Sequence, residues 1–204
     1  MLFDDTYLTI QKPTEAIFRD KGSRFLCFGY PVTTEGQAKQ IIAKLKTDHP
    51  KANHHCWAMR LSPDRSIFRV NDDGEPAGTA GRPILNVLLS KNLTNILVVV
   101  VRYFGGTLLG VPGLINAYKS VTELAINEAV IVEQTVKDVY IIKFSYLRIN
   151  EVMKIIKDNE LLMLNHHLDN DCVVTIAIRK TEVNRVIKKM ESVSGLVIGF
   201  DYTV

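Results

Sequence analysis

The feature that most constrains this chain is a run of six apolar residues, Ile96 to Val101, which holds four consecutive valines and stops at Arg102. β-Branched side chains restrict χ1 and favour extended backbone. A short unbroken apolar run has no polar face to give to water, so it predicts a central strand over 95–102 that is covered on both sides. Any fold of this chain must therefore place a layer above and a layer below one sheet. The same run is the longest apolar stretch, far short of the roughly 18–20 residues that span a membrane, and no membrane association is expected. Residues 1–11 carry Asp4 and Asp5 and no basic leader region, so no signal peptide is expected either. Cys27, Cys56 and Cys172 are odd in number and far apart, which fits a reducing compartment and a cytoplasmic location.

Around the valine run the pattern alternates between strands and helices. Residues 15–32 read as two strands about the turn Asp20-Lys21-Gly22-Ser23. Ala38, Ile41, Ile42 and Leu45 recur at helical spacing and predict a helix over 35–48. Strands over 52–61 and 66–71 flank the turn Ser62-Pro63-Asp64-Arg65, and a short helix over 83–90 follows an irregular loop. A long helix from about 114 to 130 carries Leu114, Ala117, Tyr118, Val121, Leu124, Ala125 and Glu128 on or near one face. The pattern restarts near residue 134 as strand, helix, strand, strand, helix, strand, with Thr181 a candidate N-cap. That order is the ferredoxin-like split βαβ arrangement. The expected fold class is α+β in two domains, 1–134 and 135–204. With 204 residues, 47% hydrophobic and 23% charged, the chain is globular and long enough for either a one- or a two-domain core. A net charge of +3 is too small for nucleic-acid binding by charge alone.

Three stretches could carry chemistry. On a strand, His54 and Cys56 share one face and His55 and Trp57 the other. His54 and Cys56 could face one metal ion or act as base and thiol, or they could be a hydrogen-bonded and a small apolar core residue. Asp72, Asp73 and Glu75, in a loop with Gly74, Gly78 and Gly81, could bind a cation or move protons, or could serve the turn alone. The third stretch is Arg102-Tyr103-Phe104 followed by Gly105, Gly106, Gly110 and Gly113. A strand, a glycine loop and a helix can present amides to phosphate, Arg102 can add a bidentate contact, and Tyr103 or Phe104 a stacking surface. The competing reading pairs Arg102 with a carboxylate of the 72–75 loop and uses the glycines for close packing. The spacing matches neither the P-loop nor G-x-G-x-x-G. His166-His167 reads as an exposed turn and Lys188-Lys189 as a solvated helix face.

Four segments together resemble the Impact family, in its bacterial YigZ-type branch. They are Lys21-Gly22-Ser23-Arg24-Phe25, Ala52 to Ala58, Asp72 to Pro83, and Val100 to Gly110 continuing through Gly113-Leu114 to Ala117-Tyr118. The resemblance implies an N-terminal α+β domain similar to the second domain of a small-subunit ribosomal protein. It also implies a C-terminal domain similar to a late domain of elongation factor G. Eukaryotic members regulate translation initiation by competing for an activator of the initiation-factor kinase. They do so with an additional RWD domain, so that contact is not carried over to this chain. No catalytic residue and no cofactor is implied. The expectation is a non-enzymatic, translation-associated regulator that binds RNA or the ribosome, with a protein partner in translation control as a further possibility. Arg102, Tyr103 and the 105–113 glycines would make contact, and His54 and the 72–75 loop would line the same cleft. The alternative is a small-substrate hydrolase or metal-dependent enzyme using His54, Cys56 and Asp72 to Glu75.

Overall fold

A computed structural model describes residues 5–204, so Asp4 and the start of the stretch read for a leader lie outside it. The described chain is α+β and divides into two compact units. One comprises residues 7–134; the other comprises 135–204 together with residues 5 and 6. No helix among the described residues is long and apolar enough to cross a membrane.

The first unit is built on a five-stranded antiparallel sheet in the order β2-β3-β6-β4-β5. Its strands are β2 (Thr14–Asp20), β3 (Ser23–Pro31), β4 (His54–Leu61), β5 (Ile67–Asn71) and β6 (Ile96–Tyr103). The valine run is β6, the middle strand, and Ile96 to Arg102 are all buried. Successive side chains leave opposite faces, so the run splits between two cores. Ile96, Val98 and Val100 meet α2 (Gly81–Ser90) and α3 (Gly110–Glu128). Leu97, Val99 and Val101 meet α1 (Glu35–Asp48) on the other face. Thr34 caps α1 by accepting from the Gln37 amide, and Gln37 reaches back to complete a capping box. Two strands absent from the sequence reading, β1 (Thr6–Ile10) and β7 (Ile131–Thr135), pair with each other.

The second unit is a four-stranded antiparallel sheet in the order β11-β8-β10-β9. Its elements in chain order are β8 (Lys137–Ser145), α4 (Ile149–Asp158), β9 (Leu162–His167), β10 (Asp171–Arg179), α5 (Val183–Glu191) and β11 (Val197–Thr203). This is the split βαβ order expected from the sequence. Cys172, Val174, Ile176 and Ile178 of β10 alternate onto the face that packs Val152 and Ile156 of α4 and Val186 and Met190 of α5.

Several local expectations are corrected. The long helix begins at Gly110 rather than near Leu114, so Pro112 and Gly113 lie in its first turn. First-turn amides have no intrahelical acceptor, and a proline there costs nothing. Leu124 and Glu128 of α3 are exposed, and Thr122 and Ile126 take the buried positions instead. Thr181 is no N-cap. It lies in a 3-10 turn over Lys180–Glu182, and its hydroxyl donates to Asp5 at 2.9 Å. His166 and His167 belong to β9 rather than a turn, and both are exposed.

The β2–β3 turn and the segment after β6 touch backbone to backbone. A Cβ on Gly105 would lie 1.9 Å from the carbonyl carbon of Gly22. Gly105→Ala is therefore expected to lower the unfolding free energy by about 2 kcal/mol or more, an overpacking cost. Gly36→Ala, in the first turn of α1 with only ordinary contacts, should not lower it. Urea denaturation of the two variants checks the contrast.

Candidate functional site

The alternation that splits β6 between two cores also decides which polar residues can meet. Arg102 follows Val100 onto the α2/α3 face, whereas Tyr103 follows Val101 onto the α1 face. His54 is the direct register partner of Arg102, and Cys56 that of Val100. His54, Cys56 and Arg102 thus share one face.

Arg102 is 5% exposed and cannot stay charged there without a partner. Its Nη1 donates to Glu75 Oε1 at 2.5 Å, and Glu75 is itself 9% exposed. The Tyr118 hydroxyl donates to the same oxygen at 2.8 Å. Arg102 Nη2 reaches the Ser23 hydroxyl at 3.4 Å, a long contact, and that oxygen also accepts from the Gly105 amide at 3.2 Å. The guanidinium carbon lies 5.3 Å from the ring centre of Phe25 and 5.6 Å from that of Phe104. The Cys56 thiol donates to the Asp72 carbonyl at 2.9 Å and sits 3.3 Å from the Tyr118 hydroxyl.

The three carboxylates of the loop point three ways. Glu75 turns inward to Arg102. Asp72 accepts from the amides of Gly78, Ala80 and Gly81 at 2.8, 3.1 and 2.8 Å, which binds the loop to the start of α2. Asp73 turns toward the α1 side, where it accepts from the His55 amide at 2.7 Å and from Lys46 at 3.1 Å. Burial tends to raise the Asp73 pKa, but the His55 amide and Lys46 outweigh it and the carboxyl is held below its ordinary value. Among the described residues no three His, Cys, Asp or Glu side chains are grouped to hold a metal ion.

His54 is held on one side of its ring and partly open on the other, its side chain 24% exposed. Its Nδ1 lies 2.8 Å from the Asp73 carbonyl, and Nε2 lies 3.9 Å from Glu75 Oε1. A carbonyl only accepts, so in the neutral ring the proton is assigned to Nδ1 and Nε2 carries a lone pair. Asn53, His54, Glu75 and Arg102 form the polar part of a cavity of about 420 Å³. Pro76, Phe104, Leu108, Leu109, Val111 and Leu114 form its apolar part. Phe104 and Leu108 stand 43% and 83% exposed.

Of the candidate functional residues singled out in the sequence, His54, Glu75, Arg102, Phe104 and Gly110 line this cavity, and Cys56 stands behind it with its thiol 3.3 Å from the Tyr118 hydroxyl. Gly105 is taken up by packing against the β2–β3 turn, and Gly106 provides a positive φ of 87° in the loop. Gly113 lies within the first turn of α3. Tyr103 is separated from the cavity by the sheet. Its hydroxyl bonds His49 Nδ1 at 2.9 Å, and Arg24 lies 4.6 Å from its ring centre. Sequence reasoning passed over the hydroxyls of Tyr118 and Ser23. A buried tyrosine needs a partner for its hydroxyl, and Tyr118 on the apolar face of α3 was that signal. Ser23, inside a turn, gave none.

With this geometry in place, comparison with known proteins is decisive on one point. The Impact N-terminal domain family matches residues 21–126, more than half of the chain. The chain belongs to the IMPACT family. The IMPACT family member YvyE of Bacillus subtilis is 34% identical over 180 residues, covering 88% of this chain and 82% of that protein. The IMPACT family member YigZ of Escherichia coli is 28% identical over 192 residues, covering 93% and 94%. A crystal structure of a hypothetical protein superposes with a TM-score of 0.76 at 27% identity, covering 95% of this chain and 96% of the other. The family match begins at Lys21 and runs into α3, so it includes every residue of the cavity.

Burial pushes the thiols of this IMPACT domain upward. Cys27 moves from its ordinary value of 9.0 to about 12, and Cys56 is raised as well. A thiol that holds its proton more tightly when folded contributes stability that is complete below its unfolded pKa and is lost as pH climbs toward the folded value. The stability measured by urea denaturation should therefore fall between pH 9 and 12. Cys27→Ala should make that fall shallower, and stability rising across the range would contradict the assignment.

Proposed function

We propose that this chain is a translation-associated regulator that acts by binding RNA or the ribosome, without catalysis, through the cavity floored by Arg102 and Glu75. Family membership supports the regulatory role, because the resemblance ties Impact proteins to translation. The observation that carries the binding role is how the polar groups of the site are used. Arg102, Glu75, Asp72, Asp73, Tyr118 and Cys56 are engaged with one another or with backbone, and the Cys56 thiol is pushed away from the reactive thiolate. What the cavity offers outward is an aromatic face, apolar rim side chains and a few fixed polar atoms, a surface suited to holding a ligand.

This arrangement changes which residue probes the contact. Arg102 sits under the rim, and removing it would strand the buried Glu75 carboxylate and weaken the fold. Phe104 and Leu108 stand at the rim, 43% and 83% exposed, and thermal unfolding separates any stability lost with Phe104 beside Arg102 from an effect on binding. Tyr103 drops out of this contact because it lies across the sheet. A catalytic reading, a small-substrate hydrolase or metal-dependent enzyme, draws its support from His54, whose Nε2 faces the cavity beside Glu75. It lacks the neighbouring thiolate and the converging carboxylates that it needs from Cys56, Asp72 and Asp73.

The test is co-sedimentation of the purified protein with ribosomes at low and high salt. Salt-sensitive binding is expected, with Phe104→Ala together with Leu108→Ala weakening it about tenfold or more, in line with the loss of one stacking surface. No binding at low salt would reject the reading. Undiminished binding of the folded double variant would place the contact elsewhere.

A further inference from the structure

We propose that the Arg102–Glu75 cavity selects an unpaired guanine base, an inference that rests on the RNA-binding reading and specifies its ligand. The argument begins with charge. Arg102 is the lone permanent cation among the lining residues, and Glu75 neutralises it at 2.5 Å. A phosphate entering the cavity would gain little from a guanidinium already paired and would be repelled by the carboxylate beside it. An ammonium would meet the converse. The floor favours a neutral ligand.

The second step is hydrogen-bonding character. In the neutral His54 ring Nε2 carries a lone pair, and it lies 3.9 Å from Glu75 Oε1, so both side chains bring acceptors to one corner of the cavity. Arg102 and Tyr118 both donate to Glu75 Oε1, so the acceptor that the carboxylate has left for a ligand is Oε2. An apolar side chain from a protein partner would cover these acceptors and leave them desolvated and unpaired, which is costly. A ligand bearing adjacent N–H donors would satisfy them.

The third step is shape. Phe104 presents a half-exposed ring over Arg102, with Pro76 and Leu108 among the other walls. A flat heterocycle stacks on such a ring at small entropic cost, and unpaired bases of single-stranded RNA are bound in this way. Among the four bases, guanine carries two adjacent donors, N1–H and the N2 amino group, with no acceptor between them. Adenine and cytosine place an accepting ring nitrogen beside the amino group, and uracil flanks its single N–H with two carbonyls. Two neighbouring acceptors therefore favour guanine and disfavour the other three by leaving an acceptor facing an acceptor.

The experiment is fluorescence anisotropy of the full chain with labelled RNA hexamers UUUGUU, UUUIUU, UUUAUU and UUUUUU, where I is inosine, which lacks the N2 amino group. The guanine hexamer should bind about tenfold or more tightly than the adenine hexamer, with inosine between them. Glu75→Gln and His54→Phe should each bring the guanine hexamer down to the level of the adenine hexamer. Thermal unfolding verifies that the variants fold, and the more exposed His54 keeps the test valid if Glu75→Gln does not. Equal affinity for all four hexamers would overturn the guanine inference and leave RNA binding standing. Binding of none would overturn both. Guanine preference persisting in folded variants would overturn the assignment to this cavity.

Discussion

The Arg102–Glu75 ion pair is the interaction on which the candidate site depends. Two charges are withdrawn from water at the end of the most apolar strand of the molecule. Such a pair is tolerated where further hydrogen bonds meet the charged groups, because desolvation otherwise exceeds the Coulombic gain. Here Tyr118 donates to the carboxylate, Ser23 accepts a long contact from the guanidinium, whose Nε has no partner, and the rings of Phe25 and Phe104 flank the cation. Those partners come from the β2–β3 turn, the loop after β5, the end of β6 and the middle of α3. The pair therefore ties together four segments that are distant in sequence, and the cavity is the space they leave.

Strand alternation does the rest of the positioning. One residue of register separates Arg102 from Tyr103 and His54 from His55, and each step crosses the sheet. The result is two distinct environments. On the α2/α3 side, charges are buried and paired. On the α1 side, Tyr103, His49 and Arg24 form an aromatic and cationic cluster of their own. The same loop feeds both sides, with Glu75 turned to one and Asp73 to the other.

Much of this was legible in the sequence. The valine run places β6 at the centre, and helical spacing marks α1 from Glu35 to Asp48. The β-α-β-β-α-β order identifies the second sheet. The pairing of Arg102 with a carboxylate of the 72–75 loop was among the readings, but which carboxylate was not legible, since all three sit in one irregular loop and differ only in where the backbone aims them. Tyr103 was assigned to the same cleft as Arg102 because both follow the strand; alternation, applied one residue further, separates them. The start of α3 was misplaced because Gly110, Pro112 and Gly113 read as loop residues, although a first helical turn accepts all three. β1 and β7 escaped because they pair with each other across more than a hundred residues, a contact that no local pattern signals.

The central claim is that Arg102 and Glu75 act as one buried unit that organises the cavity. A double-mutant cycle of Arg102→Met and Glu75→Leu, read by urea denaturation, tests it most directly. Each single change should cost about 3–5 kcal/mol by leaving its partner's charge buried and unpaired, and the double change should cost clearly less than the sum, because no charge is then stranded. Additive costs would show that the two residues contribute independently and would contradict the account.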